Sequence, residues 1–361
     1  MDQQLLRLRV GHIERPVPGS AHLFFEIPGQ ALPDYQAGQF LTLLFSDLGP
    51  SPLRRSYSLA SAPGVDPGLS ICVKRTPNGV VSDYLTRKVA VGDELRALPP
   101  AGRFVLPELA GGTPKPLLMI AGGSGLVPIF SLLKEALSRP AGPEVHLLLA
   151  NRNASAVFFR ERLQHWAERF PARLKVLHLL SQPTPDCARQ LQGAPQIKVR
   201  SGRLSNAWLE QWVEACFGER LPQVHAYICG PPGLMLKAEM TLKFMGFGPG
   251  RLHKEDFIIH TPFRPNASQL PEATVALNYR GKAYTFKVAP GQTVLEGAQQ
   301  AGIELPYSCR SGSCATCSAQ IVAGQVDMYT HDSRIDSGAT RGHVFTCVAY
   351  PTTRAVRLRV D

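Results

Sequence analysis

The sequence contains no run of 18 apolar residues, so it predicts no membrane-spanning helix. The nearest candidate, residues 116–133, is interrupted by several glycines and by Pro128. The first ten residues alternate apolar and polar side chains, which indicates a strand and not a signal peptide. Eight cysteines in 361 residues, without an export signal, do not suggest a disulfide framework. We therefore expect a cytoplasmic protein with no membrane insertion.

The chain also lacks a long block of basic residues. Its net charge of +11 comes from lysines and arginines that are spread along the sequence. A mildly basic surface suits an acidic protein partner or an anionic cofactor, and we do not predict nucleic-acid binding. Because 361 residues exceed one ordinary hydrophobic core, we expect two or three domains.

Three segments differ in their patterns. Residues 1–110 contain short apolar runs broken by glycine and proline, which favour an antiparallel β-barrel or sandwich, with one helix at Ser82–Lys88 that Ser82 would cap. Residues 111–261 alternate apolar strands with amphipathic helices, which predicts an α/β domain with a parallel sheet. A proline-containing linker at 262–271 precedes a third domain at 272–361, which opens with two strands and a helix.

Four cysteines in the third segment have the spacing of a plant-type [2Fe–2S] site. Cys309, Cys314 and Cys317 form a C-x4-C-x2-C string, and 29 residues separate Cys317 from Cys347. Small residues between the first three allow the backbone to fold closely around a cluster and to donate hydrogen bonds to its sulfurs. A structural zinc site would have paired C-x2-C elements or histidines, and two disulfides would need an oxidising compartment, so both alternatives are disfavoured.

A cluster that carries single electrons needs an electron source, and the first segment suggests a flavin. The string from Arg54 to Ser61, RRSYSLAS, is followed by Val73-Lys74-Arg75 and by a G-x-x-S string from Gly79 to Ser82. Together these strings resemble the flavin site of the ferredoxin–NADP reductase family. The resemblance implies a β-barrel domain that binds FAD, the longer flavin, in preference to FMN.

The resemblance also assigns roles in this flavin site. Tyr57 would stack on the flavin, Arg55 would bind the pyrophosphate, and Ser58 would lie near flavin N5. Val73 and Lys74 would line the cofactor, while Gly79 and the helix near Ser82 would receive phosphate oxygens. Taken singly, each of these residues has an ordinary alternative: a barrel side chain, a surface charge or a helix cap.

The second segment carries two motifs that resemble the nicotinamide site of the same family. The first is a glycine-rich turn containing Gly122, Gly123 and Gly125, placed between a strand and a helix, where backbone N–H groups bind pyrophosphates. The second comprises Cys229, Gly230 and Pro231 at the end of the last apolar strand. The alternatives are a tight turn without a ligand and a buried cysteine.

Two further features bear on the nucleotide. The string from His253 to Phe257 is similar to the family's H-x-E-x-F ending, which would bring Glu255 near the nicotinamide and Phe257 over the flavin. No acidic residue follows the strand at 145–150, and Arg152 or Arg203 could bind a 2′-phosphate. We therefore favour NADPH over NADH, although both arginines could be ordinary surface residues.

The order of flavin barrel, nucleotide domain and C-terminal β-grasp ferredoxin domain resembles the reductase components of bacterial oxygenases. The resemblance is strongest to the group that contains the reductases of phenylacetate-CoA epoxidase and ketosteroid hydroxylase. It implies an NAD(P)H oxidoreductase that transfers electrons to FAD, then to the cluster, then to a terminal oxygenase or hydroxylase. Because lysines and arginines outnumber acidic residues nine to seven from residue 266 onward, we expect a mildly basic docking surface for this partner around Arg310. Reduction of a desaturase or of a soluble carrier is an alternative, and the intact flavin and nucleotide motifs argue against a redox sensor without turnover.

Overall fold

The computed structural model describes residues 5–48, 53–107, 114–257, 264–307, 310–312, 316–329, 334–336 and 342–360. The described residues form two compact units. One consists of Leu5–Pro100 with Phe104–Phe257, and the other lies mainly in residues after 263. The predicted boundaries at 110/111 and 261/262 fall outside the described residues and stay predictions. No helix in the described ranges is long and apolar enough to cross a membrane.

The first part of the larger unit is a six-stranded antiparallel barrel, as predicted. Its strands are ordered β4-β3-β6-β1-β2-β5. A bridge between Leu59 and Ile71 joins the end of β4 to β5, and Ala60 N–H donates to Ser70 O over 2.8 Å. The string RRSYS thus makes up most of β4, and the two residues that follow it close the barrel. The bounds are β1 Leu6–Glu14, β2 Ser20–Glu26, β3 Phe40–Phe45, β4 Leu53–Ser58, β5 Leu69–Lys74 and β6 Glu94–Ala101.

The helix of the barrel, α1, spans Val80–Arg87 and begins two residues earlier than predicted. The prediction that Ser82 caps it was wrong, because the N-cap is Gly79 and the cap position has no side-chain hydrogen bond. Ser82 instead lies in the first turn, where its Oγ donates to Gly79 O (3.0 Å) and accepts from Thr76 N–H (3.1 Å). Its hydroxyl therefore stabilises the turn that leads into the helix.

The second part of the larger unit is a parallel sheet with helices on both faces, as predicted. Its strands are ordered β10-β9-β8-β7-β11-β12, and every pairing is parallel. Successive residues of the strand Leu117–Gly122 face different cores. Met119 packs in the cluster that contains the helix Leu126–Ser138, while Leu118 and Ile120 pack in the cluster that contains the helices Asn206–Phe217 and Pro232–Phe244. The strands are β7 Leu117–Gly122, β8 Val145–Asn151, β9 Leu174–Leu180, β10 Ile197–Ser201, β11 His225–Cys229 and β12 Leu252–Glu255. The helices are α2 Leu126–Ser138, α3 Arg160–Arg169, α4 Cys187–Leu191, α5 Asn206–Phe217 and α6 Pro232–Phe244.

The smaller unit is a mixed sheet that packs against one helix, α7, which spans Val294–Gln300, and this arrangement is the β-grasp fold. The sheet order is β14-β13-β20-β15-β18, in which β13 and β20 are parallel, and a second sheet has the order β17-β16-β19. Thr293 caps α7 in a reciprocal capping box with Glu296 (2.9 and 3.1 Å). The strands are β13 Ala273–Tyr279, β14 Lys282–Val288, β15 Ser318–Ala323, β16 Val326–Tyr329, β17 Arg334–Asp336, β18 His343–Phe345, β19 Ala349–Pro351 and β20 Ala355–Val360.

Candidate flavin, nucleotide and cluster sites

The two predicted nucleotide motifs flank the point where the strand order of the parallel sheet reverses. From β7 the chain first adds β8, β9 and β10 on one side and later adds β11 and β12 on the other. Gly122 ends β7 and Cys229 ends β11, and Ala121 pairs with Cys229 in the register. Ligands of open α/β sheets bind at the carboxyl ends of strands at such a reversal. The fold therefore provides a nucleotide crevice where the motifs lie.

The glycines of the first motif have distinct structural reasons. A Cβ on Gly125 would lie 2.2 Å from Cys229 O and 2.6 Å from Gly230 N, so this position packs directly against the second motif. A Cβ on Gly122 would lie 2.8 Å from Pro231 Cδ. Gly123 has a left-handed φ of 56° and open space around its missing Cβ. The two turns thus touch backbone to backbone, and Gly123 borders free volume.

A hydrogen bond links the barrel to the crevice. Ser58 Oγ, at the end of β4, donates to Glu255 Oε2, at the end of β12, over 2.9 Å. Ser58 is buried and Glu255 is half-buried. Desolvation of the Glu255 carboxyl raises its pKa to about 8, and the bond from Ser58 opposes that shift. Glu255 therefore carries its proton at neutral pH beside the flavin motif.

Cys229 is 0% exposed, which decides its chemical state. Burial raises the pKa of its thiol well above the ordinary value, and the nearby Glu255 and Asp256 raise it further. A neutral buried thiol is a packing group and not a nucleophile. Phe257, two residues beyond Glu255, is 48% exposed.

The predicted flavin residues of the barrel differ in exposure. Arg55 is exposed and donates to Arg54 O (2.7 Å), and within the described ranges it has no carboxylate partner. Tyr57 is half-buried, and desolvation raises its pKa to about 12, so its phenol stays neutral. Val73 lies in the barrel core with 0% exposure, so only its backbone is available to a cofactor, whereas Lys74 is exposed.

The turn at Gly79 is suited to an anion by its backbone. A Cβ on Gly79 would lie 2.5 Å from Ser82 Oγ, so glycine lets the turn close on the helix. Because the Ser82 hydroxyl is engaged with that turn, phosphate oxygens would be received by the N–H groups at the start of α1.

Arg152 and Arg203 lie on the same edge of the parallel sheet. Arg152 follows β8 and Arg203 follows β10, with β9 between them, and both side chains are exposed. Two strand spacings separate their strands by about 10 Å. The two arginines thus lie beyond the β8 side of the crevice, on the side opposite Glu255.

Two of the four predicted cluster ligands are brought together by the β-grasp unit. Cys317 and Cys347 are 2% and 5% exposed, and Thr346 N–H donates to Cys317 O over 3.0 Å. Cys309 and Cys314 lie outside the described residues. Groups of three or more potential metal ligands are absent from the described ranges, which exclude these two cysteines.

Three family models match the chain in the order of its segments. They describe an oxidoreductase FAD-binding domain at residues 16–106, an oxidoreductase NAD-binding domain at 119–239 and a 2Fe-2S iron-sulfur cluster binding domain at 277–352. The ferredoxin reductase component of 3-ketosteroid-9-alpha-monooxygenase from Rhodococcus rhodochrous is 31% identical over 90% of this chain and 87% of its own. The chain belongs to the ferredoxin–NADP reductase superfamily, among the members with a C-terminal [2Fe–2S] domain.

Two further proteins support the same family assignment for this reductase. The matching component of 1,2-phenylacetyl-CoA epoxidase from Escherichia coli is 29% identical over 98% of this chain and 97% of its own. Phthalate dioxygenase reductase has the same fold, with a TM-score of 0.58 over 99% of this chain and 98% of its own at 23% identity. The reductase is an NAD(P)H oxidoreductase that uses FAD and a [2Fe–2S] cluster.

Two observations fit these cofactors to the residues present. The hydroxyls of Thr316 and Thr346, next in sequence to Cys317 and Cys347, are buried and have no hydrogen-bond partner among the residues that the structure describes. Buried hydroxyls need an acceptor, and the sulfurs of a cluster would supply one. For the flavin, the unneutralised guanidinium of Arg55 fits an anionic pyrophosphate.

Sequence reasoning missed the contacts that hold the barrel to the parallel sheet. Arg162 of α3 donates to both carboxylate oxygens of Glu14 (2.8 and 2.9 Å), beside the buried His22. Ser131 and Lys134 of α2 reach barrel residues in a similar way. The sequence does carry a signal for these contacts. Ser131 interrupts the apolar stretch from Leu126 to Leu133, and Lys134, which follows that stretch, is also buried.

Proposed function

We propose that this reductase takes a hydride from NADPH at the crevice between β7 and β11 and supplies single electrons to a terminal oxygenase or hydroxylase component. The hydrogen bond between Ser58 and Glu255 is the observation that best supports this site, because it joins the flavin string to the edge of the nucleotide crevice. When bound, FAD accepts a hydride and the [2Fe–2S] cluster carries single electrons onward.

In this proposal backbone N–H groups at the starts of two helices, together with one arginine side chain, bind the pyrophosphates of NADPH and FAD. Gly122, Gly123 and Gly125, with the start of α2, bind the NADPH pyrophosphate, and open space at Gly123 leaves room for it. Arg55 and the start of α1 bind the FAD pyrophosphate. Tyr57 stacks on the flavin ring, with Val73 and Lys74 contributing backbone and stem contacts.

The residues beside the reacting atoms are uncharged at neutral pH. Glu255 keeps its proton because its pKa is raised to about 8, and Cys229 stays a thiol. A negative charge here would oppose the arrival of a hydride, so neutrality favours the transfer. Ser58 and Glu255 hold a proton near flavin N5, while Cys229, Gly230 and Pro231 orient the nicotinamide and Phe257 covers the flavin.

The choice of NADPH is supported by Arg152 and Arg203, which are exposed and follow the ends of β8 and β10 on one side of the crevice. No acidic residue lies between Asn151 and Ser155, where a ribose-binding carboxylate would be expected in an NADH enzyme.

An oxygenase partner is supported by the relatives, whose names include ketosteroid monooxygenase, phenylacetyl-CoA epoxidase and glycine betaine monooxygenase reductases. We place its docking surface near Arg310, in the cluster loop. Arg310 is exposed, its guanidinium lies 4.4 Å from the ring centre of Tyr307, and it donates to Gln299 (3.3 Å). We propose that the reductase acts in the cytoplasm, with Cys309, Cys314, Cys317 and Cys347 as cluster ligands.

A visible spectrum followed by anaerobic titration with NADPH and then NADH tests the proposal. We expect flavin and iron–sulfur absorption that NADPH bleaches at lower concentration than NADH. A spectrum that neither nucleotide bleaches would refute the reductase site. Cys314→Ser should remove the cluster absorption and leave flavin reduction intact. Loss of both would contradict the proposal that the flavin site and the cluster site work independently.

A further inference from the structure

The helix that starts at the nucleotide loop, α2, is bonded to the barrel by two side chains near its middle, Ser131 and Lys134. Ser131 of α2 is 0% exposed; its Oγ donates to Ser61 O over 2.5 Å and accepts from Gly38 N–H over 3.2 Å. Ser61 follows Ser58 by three residues in the flavin string. One side chain of α2 therefore bonds to the same barrel segment that carries the flavin motif.

A second bond lies one turn further along α2. The Nζ of Lys134, whose side chain is only 7% exposed, pairs with Asp66 Oδ2, which also accepts from Ala62 N–H over 2.7 Å. Removing one partner of a buried ion pair leaves an uncompensated charge, so such pairs hold their geometry strongly. The Lys134 ammonium also lies 5.1 Å from the ring centre of Phe130.

Direct packing supports these polar contacts. A Cβ on Gly38 would lie 1.9 Å from Phe104 O and 2.8 Å from Leu132 Cδ2. Gly38 has a left-handed φ of 85°, so the barrel loop reaches α2 only because this residue is glycine. The contact leaves no space for α2 to slide along the barrel.

We propose that α2 is a rigid strut that sets the distance between the bound nicotinamide and the flavin, with Ser131 and Lys134 as positioning residues. The strut connects Gly125, which packs on Cys229, to Ser61, and six residues of helix span about 9 Å. The inference rests on the proposed function, in which Gly122–Gly125 bind the nucleotide and Ser58 lies at the flavin. Neither positioning residue is expected to touch either cofactor.

The test compares Ser131→Ala, Lys134→Met and the double variant in the full-length holoprotein. Glu135→Gln is the matched control, because Glu135 pairs with Arg139, the residue that follows α2, and not with the barrel. Stopped-flow measurement gives the limiting rate of flavin reduction by NADPH, and titration with NADP⁺ gives the dissociation constant. Hydrogen–deuterium exchange of peptides covering 122–138 and 58–66 measures how rigidly α2 and the barrel segment are held, independently of catalysis.

We expect the double variant to lose about 10- to 100-fold in limiting rate, because a misplacement near 1 Å has that effect. The NADP⁺ dissociation constant should stay within about twofold, since the phosphate loop itself is unchanged. Exchange should rise in both peptides, and Lys134→Arg should restore most of the rate.

A double variant that keeps the wild-type limiting rate would overturn the proposal, as would an equal loss in Glu135→Gln. If Lys134→Met does not fold, the limiting rate of Ser131→Ala decides the test in the same way. That substitution removes only one oxygen atom, so the variant is expected to fold. If neither nucleotide reduces the wild-type flavin, the proposed function fails, while unchanged exchange in the variants would refute the strut separately.

Discussion

Adding one methyl group at Gly125 should separate the two turns that form the nicotinamide crevice. In Gly125→Ala the new Cβ would lie 2.2 Å from Cys229 O and 2.4 Å from Cys229 C, whereas nonbonded heavy atoms prefer about 3.5 Å. The opposing atoms belong to the backbone and cannot rotate away, so the turns must move apart by roughly 1 Å. Overpacking of this kind costs about 1–3 kcal/mol of unfolding free energy.

The effect on turnover should exceed the effect on stability. A shift near 1 Å between hydride donor and acceptor lowers the rate up to about 100-fold. Gly248→Ala is the matched control, because Gly248 has no left-handed φ, no described atom lies within 4 Å of the new Cβ, and the residue belongs to neither nucleotide motif. Thermal unfolding and single-turnover flavin reduction separate the two effects. Equal reduction rates in the two variants would refute the steric argument.

Three further predictions address the cluster, the nucleotide and the domain contact. Thr346→Val should keep the [2Fe–2S] absorption but lower the midpoint potential in an EPR-monitored titration, since a hydrogen bond to sulfur is lost; an unchanged potential would mean that the hydroxyl does not face the cluster. Replacing Arg152 and Arg203 together by alanine should weaken the binding of NADPH at least about tenfold and leave the binding of NADH nearly unchanged. Equal losses of affinity for both nucleotides would exclude a role of these arginines at the 2′-phosphate. The pKa of His22 is lowered from 6.5 to about 3 by burial and by the charges of Arg162, Lys134 and His12. Between pH 6.5 and about pH 3 this histidine is therefore protonated in the unfolded chain but not in the folded one, so the free energy of unfolding falls as the pH drops. Going from pH 7 to pH 5 should cost about 2 kcal/mol through this group, and urea unfolding of His22→Gln should show a smaller pH slope; an identical slope would contradict the assignment.

The sequence was sufficient for the architecture because its apolar patterns are strong where strands are buried. The strands Leu69–Lys74, Leu174–Leu180 and His225–Cys229 coincide with apolar runs that can be recognised in the sequence. The edge strand β10, Ile197–Ser201, was missed because Ile197 and Val199 are its only apolar residues, and an alternation this short is a weak signal. Helix α4 was missed because five residues are too few for a helical pattern to be recognised.

The site was only partly predictable, since its motifs are local in sequence but its contacts are not. The pairing of Ser58 with Glu255 spans 197 residues, and no local pattern indicates it. Ser82 was misassigned as a cap because serine before a helical run usually caps, whereas here Gly79 takes that position and frees the hydroxyl to stabilise the turn. The roles of the individual site residues stay predictions for the experiments above.

The bonds from α2 to the barrel bear on how such reductases can be recombined. A chimera that joins the barrel of one reductase to the parallel-sheet domain of another would place Ser61 and Asp66 in one parent and Ser131 and Lys134 in the other. Such a protein should express and bind both nucleotides but couple them poorly unless these partners, and Gly38, are transplanted with α2. Functional exchange of the nucleotide domain therefore requires grafting a set of contacts that no single crossover point can preserve.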